Sequence, residues 1–198
     1  NRDITLHLKR ILNAKTYSIE DIWQLNMLKS ILGSIAYSKP YIYSIYVYFN
    51  NPEKNFVATP EGLQKLDEYY DKDWFYHYQK INQSGFWIEK RQIKPYNFAN
   101  NSIDVLTIYK KVKSPYSNMD EGVLVVNIYL DYIKDMLNLS TYVPGHTIYM
   151  LDNRGNVLCS NIPNDGQQDV LKAQYDREKS NYITKRLNSD KYNVSFVS

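Results

Sequence analysis

The stretch YIYSIYVYFNN, residues 41–51, breaks the alternation expected of a strand with one wet face. Tyr41, Tyr43, Ile45, Val47 and Phe49 fall on one side. Ile42, Tyr46 and Tyr48 fall on the other, with Ser44 between them. The pattern predicts a strand covered on both faces, and the Asn50–Asn51 pair ends it in a turn. Upstream, Ile22, Leu25, Leu28, Leu32 and Ile35 recur at a helical period, and Trp23, Met27 and Ile31 widen the apolar face. Ser18 with Asp21 three residues on is a capping-box-like start. Pro40 stops the helix, because the residue before a proline avoids the helical region. A shorter helical pattern, Ile4, Leu8, Ile11 and Leu12, precedes the break at NAKTYS.

Downstream, NFVATP reads as a second strand. Thr59–Pro60 then reads as the N-cap and first position of a helix reaching about Tyr70. Another helix is predicted from about Asp73 to Asn82, and strands over 86–93, 103–113 and 121–130. Pro115, Asn118, Asp120 and Glu121 mark the turn between the last two strands. Asp131 caps a short helix carrying Ile133, Met136 and Leu137, and Pro144–Gly145 punctuates the chain. Beyond it, TIYMLDNRGNVLCS at 147–160 repeats the strand–turn–strand pattern of SIYVYFNNPEKNFVAT at 44–59. That repeat predicts two similar modules in tandem. YITKRL and YNVSFVS, joined by NSD, predict a closing hairpin.

The element order predicts an α+β fold with three parts. These are an N-terminal helical region (1–39), a PAS-like antiparallel-sheet module (40–142) and a second, truncated PAS-like module (143–198). The opening strand sits centrally, with the long helix on one sheet face and the inserted helices on the other.

Composition narrows the function. A net charge of +3 is too small to predict nucleic-acid binding, and Lys110, Lys111 and Lys113 are expected in solvent. The single cysteine, Cys159, rules out an internal disulfide and is expected to be a buried strand residue. His7, His77 and His146 lack zinc-ligand spacing, Ser160 lacks a nucleophile elbow, and DNRGN at 152–156 lacks the acid spacing of a calcium loop. No catalytic function and no cofactor are predicted. Asp67, Glu68, Asp71 and Asp73 are assigned to helix ends. The apolar run at 41–49 is too short to span a membrane. The chain begins in a helical pattern without Met and stops in a strand pattern, so it reads as a segment of a longer protein, with any membrane segments outside it.

Four stretches, YIYSIYVYFNN, YYDKDWFYHYQK, EGVLVVNIYLDYI and TIYMLDNRGNVL, together resemble double Cache sensor regions. The likeness is greatest to those of Gram-positive membrane histidine kinases and AraC-type transmembrane regulators, over roughly 40–198. The resemblance implies a domain outside the cell membrane, flanked by transmembrane helices, with a small molecule bound in the membrane-distal module. A kinase or DNA-binding output would lie elsewhere in the parent protein.

Lys72–Asp73–Trp74–Phe75 stands at the family's Arg-x-Trp-aromatic motif, where the cation grips a ligand carboxylate and the tryptophan walls the pocket. Lysine cannot make the planar two-pronged contact. Asn127 stands where amino-acid-binding members carry an aspartate for the ligand ammonium. With both contacts weakened, the expected ligand is a carboxylate without an amine or a sugar-like ring, and not an ordinary amino acid. Glu89 would restore a negative charge if it points inward, although an exposed place on an edge strand is expected. Trp87, Tyr109 and Tyr129 lie on the strands facing the pocket. The N-terminal helix offers a homodimer contact. The alternative reading is an interaction module, its pocket filled by Trp74, Trp87 and Tyr109, that responds to a partner protein or envelope state.

Overall fold

The computed structural model describes residues 18–50, 56–80, 86–95, 101–113, 120–139, 147–152, 154–161, 182–187 and 192–197. The chain divides into two compact units, Asn1–Met136 and Leu137–Ser198. The helical pattern at Ile4–Leu12, the turn at Pro115–Asn118 and the Pro144–Gly145 punctuation lie outside the described residues.

The first unit opens on α1 (Ile19–Ser38). Its start is the predicted capping box. The Asp21 amide donates to Ser18 Oγ at 3.2 Å, and the Ser18 amide donates back to Asp21 Oδ2 at 2.9 Å. The helix stops at Ser38, and Lys39 before Pro40 is already extended. Leu28, Leu32 and Ala36 are buried. Ile22, Trp23, Ile31 and Ile35 stay exposed, so the buried stripe is narrower than the apolar pattern suggests.

Six strands follow: β1 (Ile42–Phe49), β2 (Phe56–Thr59), β3 (Gly62–Lys65), β4 (Phe86–Ile93), β5 (Ile103–Lys113) and β6 (Asp120–Tyr129). They form one antiparallel sheet in the order β3-β2-β1-β6-β5-β4. Helix α2 (Asp73–Lys80) is inserted between β3 and β4, and α3 (Leu130–Leu139) follows β6. The fold is α+β and PAS-like, as the sequence predicts, with a sixth strand, β3, in place of the first of the two expected inserted helices.

Both faces of β1 are covered. Ile45 and Phe49 meet Leu28, Leu32 and Ala36 of α1, together with Ala58. Tyr46 and Tyr48 enter a second cluster with Trp74 and Tyr78 of α2 and with Trp87, Tyr109, Val123 and Val125. One assignment changes. The β1–β6 register shifts between Ile42 and Ser44, so Ile42 joins the helix-side cluster and not the side of Tyr46 and Tyr48.

Two local readings are corrected. Thr59–Pro60 starts no helix; Pro60 and Glu61 form the two-residue loop of the β2–β3 hairpin, in which Thr59 faces Gly62. Thr59 Oγ1 accepts from the Glu61 amide and donates to the Gly62 carbonyl, both at 3.2 Å, and Gly62 takes φ 137°, where other residues are strained. A Thr-Pro pair serves a turn as well as a helix start, and here the turn wins because the hairpin extends the sheet. Asp131 lies within the first turn of α3 and does not cap it, because the helix already begins at the buried Leu130.

The second unit holds two antiparallel hairpins, β7 (Tyr149–Leu151) with β8 (Val157–Ser160), and β9 (Tyr182–Leu187) with β10 (Tyr192–Val197). In the first, Asp152 Oδ1 accepts from the amides of Arg154 and Asn156 at 2.8 Å each, and Gly155 takes φ 78°. Asp152 is thus the hub of a hairpin turn. Cys159 on β8 is buried. Among the described residues no helix is long and apolar enough to cross a membrane.

Candidate functional site

Strand pairing places side chains in rows across the sheet face opposite α1. Ser44, Asn127, Thr107 and Glu89 are paired in succession across β1, β6, β5 and β4. Tyr46, Val125, Tyr109 and Trp87 form the row on one side. Tyr129, Val105 and Arg91 form the row on the other. Partners in a row share a face because strand side chains alternate with a period of two. The sheet therefore presents a polar band between aromatic positions, a pattern not expected of a purely apolar core.

The band is closely hydrogen-bonded. Asn127, fully buried, donates from Nδ2 to Ser44 Oγ at 2.9 Å and accepts at Oδ1 from Thr107 Oγ1 at 2.7 Å. Arg91 donates from Nε to Thr107 at 2.9 Å and from Nη2 to Asn127 Oδ1 at 3.1 Å. Its fork also donates to both oxygens of Asp71, each at 2.9 Å. The Arg91 and Asp71 side chains are each only 3% exposed, so this is a charge pair taken out of water. Burial works against the guanidinium charge, but the bonds and charge of Asp71 outweigh it and hold Arg91 protonated above its ordinary range. Such a pair is weak evidence for stability, since desolvating two charges offsets most of their attraction.

Aromatic side chains lie over and beside the band. Trp74 packs edge-on against Tyr48 at 5.9 Å, Tyr46 meets Tyr69 edge-on at 5.1 Å, and Trp87 stacks on Tyr109 at 4.6 Å. Burial pushes the Tyr46, Tyr69 and Tyr109 hydroxyls above the ordinary tyrosine range. Among the described residues, the indole N–H groups of Trp74 and Trp87 are buried without an acceptor. An unpaired buried donor costs about 1–3 kcal/mol.

The sequence-predicted site residues divide among these positions. Trp74, Trp87, Tyr109 and Asn127 are buried in the layer between sheet and α2. Glu89 lies on the same face, 24% exposed. It accepts from the Tyr109 hydroxyl and stands 2.7 Å from His77 Nδ1 and 3.7 Å from Arg91 Nε. Glu89 does lie on an edge strand, as expected, but it is not fully exposed there, because residue parity on β4 puts it on the face of Trp87 and Arg91. Tyr129 is exposed and meets Tyr43 edge-on at 5.3 Å. Lys72 is exposed, and its Nζ donates to the Asp67 carbonyl at 3.0 Å.

Sequence reasoning missed Arg91, Thr107, Ser44 and Asp71. Parity could have found Arg91, two places beyond Glu89, and Thr107, two before Tyr109. The helix-end assignment of Asp71 is corrected, since its carboxylate is committed to Arg91. An open groove of about 450 Å³ lies on the other sheet face, between α1 and the β2–β3 hairpin, lined by Leu25, Leu28, Phe56, Ala58 and Leu63 among others. It has no comparable convergence of bonded polar groups.

No family model matches the sequence, and no curated protein matches it. Several solved structures are similar in architecture. A domain from Vibrio parahaemolyticus described as of the sensory box/GGDEF family has a TM-score of 0.48 and 14% identity over 98% of this chain and 82% of its own. The sensory domain of the Campylobacter jejuni chemoreceptor Tlp3 with isoleucine bound has a TM-score of 0.44 and 22% identity over 95% of this chain and 75% of its own. The periplasmic sensory domain of Tlp1 from the same organism has a TM-score of 0.40 and 13% identity over 92% and 80%. The likeness is to sensory domains of signalling receptors.

The expectation that the ligand is not an ordinary amino acid is corrected. The Tlp3 sensory domain holds isoleucine and its ligand-binding domain L-valine or L-norvaline. The physical premise fails as well. It rested on Lys72 as the cation and Asn127 in place of an acid, whereas this face carries the buried guanidinium of Arg91 and the carboxylates of Asp71 and Glu89.

Proposed function

We propose that the chain is the extracytoplasmic small-molecule sensing region of a bacterial transmembrane signalling receptor, binding its ligand between the sheet and the 66–80 cover. The first module, 40–142, would be the membrane-distal sensor and 143–198 the membrane-proximal partial module. The output, a histidine kinase or AraC-type regulator of Gram-positive type, would lie elsewhere in the parent protein. No catalytic role is assigned.

The observation that carries this reading is the polar band, tied through Thr107 and Asn127 to the buried Arg91–Asp71 pair beside it and bordered by an aromatic cluster. Convergent polar groups within aromatic walls are what a small-molecule site requires. Trp74, Trp87, Tyr109 and Tyr129 would supply walls, Asn127, Glu89 and Arg91 polar contacts, and Lys72 a cation at the rim. Ligand would favour one of two arrangements of cover and sheet, which requires tighter binding to one than to the other.

A thermal-shift screen of metabolites on the purified domain tests the proposal. The panel includes isoleucine, valine and norvaline. A ligand at 100 times its Kd adds about 2.7 kcal/mol of stability. A panel that leaves the melting temperature unmoved sinks the reading.

A second reading, an interaction module closed by its own side chains, is favoured by the burial of Trp74, Trp87 and Tyr109. It predicts that Trp74→Ala and Trp87→Ala reduce stability and leave no ligand affinity to lose.

A further inference from the structure

We infer that the Asp71 carboxylate is an internal stand-in for a ligand carboxylate on Arg91, so that a carboxylate-bearing small molecule, amino acids included, enters by exchanging with Asp71 and freeing the 66–72 connection from the sheet. The inference rests on the proposed sensing function and names its ligand chemistry.

The two partners are held very differently. Arg91 is rooted in β4 with its Nε fixed by Thr107 on the neighbouring strand and one Nη by Asn127. Its fork is therefore oriented by the sheet, independently of Asp71. Asp71 lies on the irregular connection between β3 and α2, outside any strand ladder. The backbone bonds there are turn bonds, Glu68 to Lys65 at 3.2 Å and Tyr69 to Leu66 at 3.3 Å. A fork oriented by the sheet faces a carboxylate on a segment outside the strand ladders, held there by the buried Leu66 and Tyr69, and a planar guanidinium accepts any carboxylate in the same two-pronged geometry.

The unpaired indole donors are an independent sign. Trp74 on the cover and Trp87 on the sheet belong to one buried layer, and the closed arrangement leaves both N–H groups without an acceptor. A molecule entering beneath the cover could supply acceptors. The exchange conserves charge at Arg91 and releases Asp71 to water or to a cation on the incoming molecule.

The test uses the full 198-residue chain with acetate as probe, and chloride and acetamide as controls at matched ionic strength. Deleting an internal competitor tightens binding of the molecule it mimics. Asp71→Ala is expected to be stabilised by acetate at a concentration at least tenfold lower than wild type requires, with no response to acetamide. Adding Arg91→Lys should abolish that response. Equal melting temperatures of Asp71→Ala in acetate and chloride would overturn the inference. Should Asp71→Ala fail to fold in chloride, acetate must restore a cooperative transition. Failure to restore it, with no acetate preference in the isosteric Asp71→Asn, also overturns the inference. A metabolite that stabilises wild type while acetate fails on Asp71→Ala refutes the exchange and leaves sensing standing. Acetate rescue with a silent metabolite screen does the reverse.

Discussion

Trp87 and Tyr109 face each other as direct cross-strand partners of β4 and β5, their ring centroids 4.6 Å apart and their planes within 5°. Tyr78 of α2 is also stacked with Trp87, at 6.3 Å and within 5° of its plane. One indole ring thus ties the sheet to α2, beside the Tyr48–Trp74 contact and the Arg91–Asp71 pair. Trp87→Ala should cost about 3–5 kcal/mol in urea unfolding, the usual range for a buried large aromatic. Trp87→Phe should cost clearly less, because the unpaired indole N–H leaves with the ring. Equal losses would mean that this donor finds an acceptor in solution.

Two glycines should respond in opposite directions. At Gly122 on β6 an added Cβ would stand 2.0 Å from the Tyr48 carbonyl oxygen, which is backbone of the adjacent strand and cannot step aside. Gly122→Ala should therefore separate β1 from β6 locally and cost about 1–3 kcal/mol or more. At Gly33 in α1 the nearest atom is the Tyr37 ring at 3.4 Å, and that side chain is exposed. Gly33→Ala should stabilise by about 0.5–1 kcal/mol through helix propensity. Paired urea denaturations check both signs.

The frame was legible in the sequence because its signals are local. The two-sided apolar pattern of 41–49 announced a central strand, Ser18 and Asp21 announced the helix start, and 86–93 and 103–113 are the strands predicted. β3 was hidden because Thr59–Pro60 has two local meanings and pairing with β2 chooses between them. The candidate site was half legible. Trp87, Glu89 and Arg91 share one face by parity, yet parity does not say which charged residue on a strand is desolvated. Asp71 carries no periodic signal, and its tie to Arg91 spans twenty residues and exists only in the folded chain.

Breaking the buried ion pair from one side should be costly. Arg91→Met would leave the Asp71 carboxylate buried without its partner, and a loss of about 3–5 kcal/mol is expected. The double variant Arg91→Met with Asp71→Leu removes both charges and should recover much of that loss. A double variant no more stable than Arg91→Met would show that Asp71 reaches water when its partner is gone.

Alkaline pH should unfold the domain through its tyrosines. Burial and the nearby Tyr78 push the Tyr48 hydroxyl up from 10.0 to about 12, and Tyr46, Tyr69 and Tyr109 are raised further in the same direction, chiefly by burial. A raised folded pKa means that the native state holds the proton over a range where the unfolded chain has lost it. Stability from these groups is therefore complete below pH about 10, where both states are protonated, and falls as pH rises through the interval toward 12 and beyond. Absorbance at 295 nm reads tyrosinate directly. The buried Tyr46, Tyr48, Tyr69 and Tyr109 should ionise at the high end of that interval, in a step that coincides with loss of the near-ultraviolet circular dichroism signal. A single smooth titration of all 20 tyrosines near pH 10, with that signal retained throughout, would contradict the closed aromatic layer.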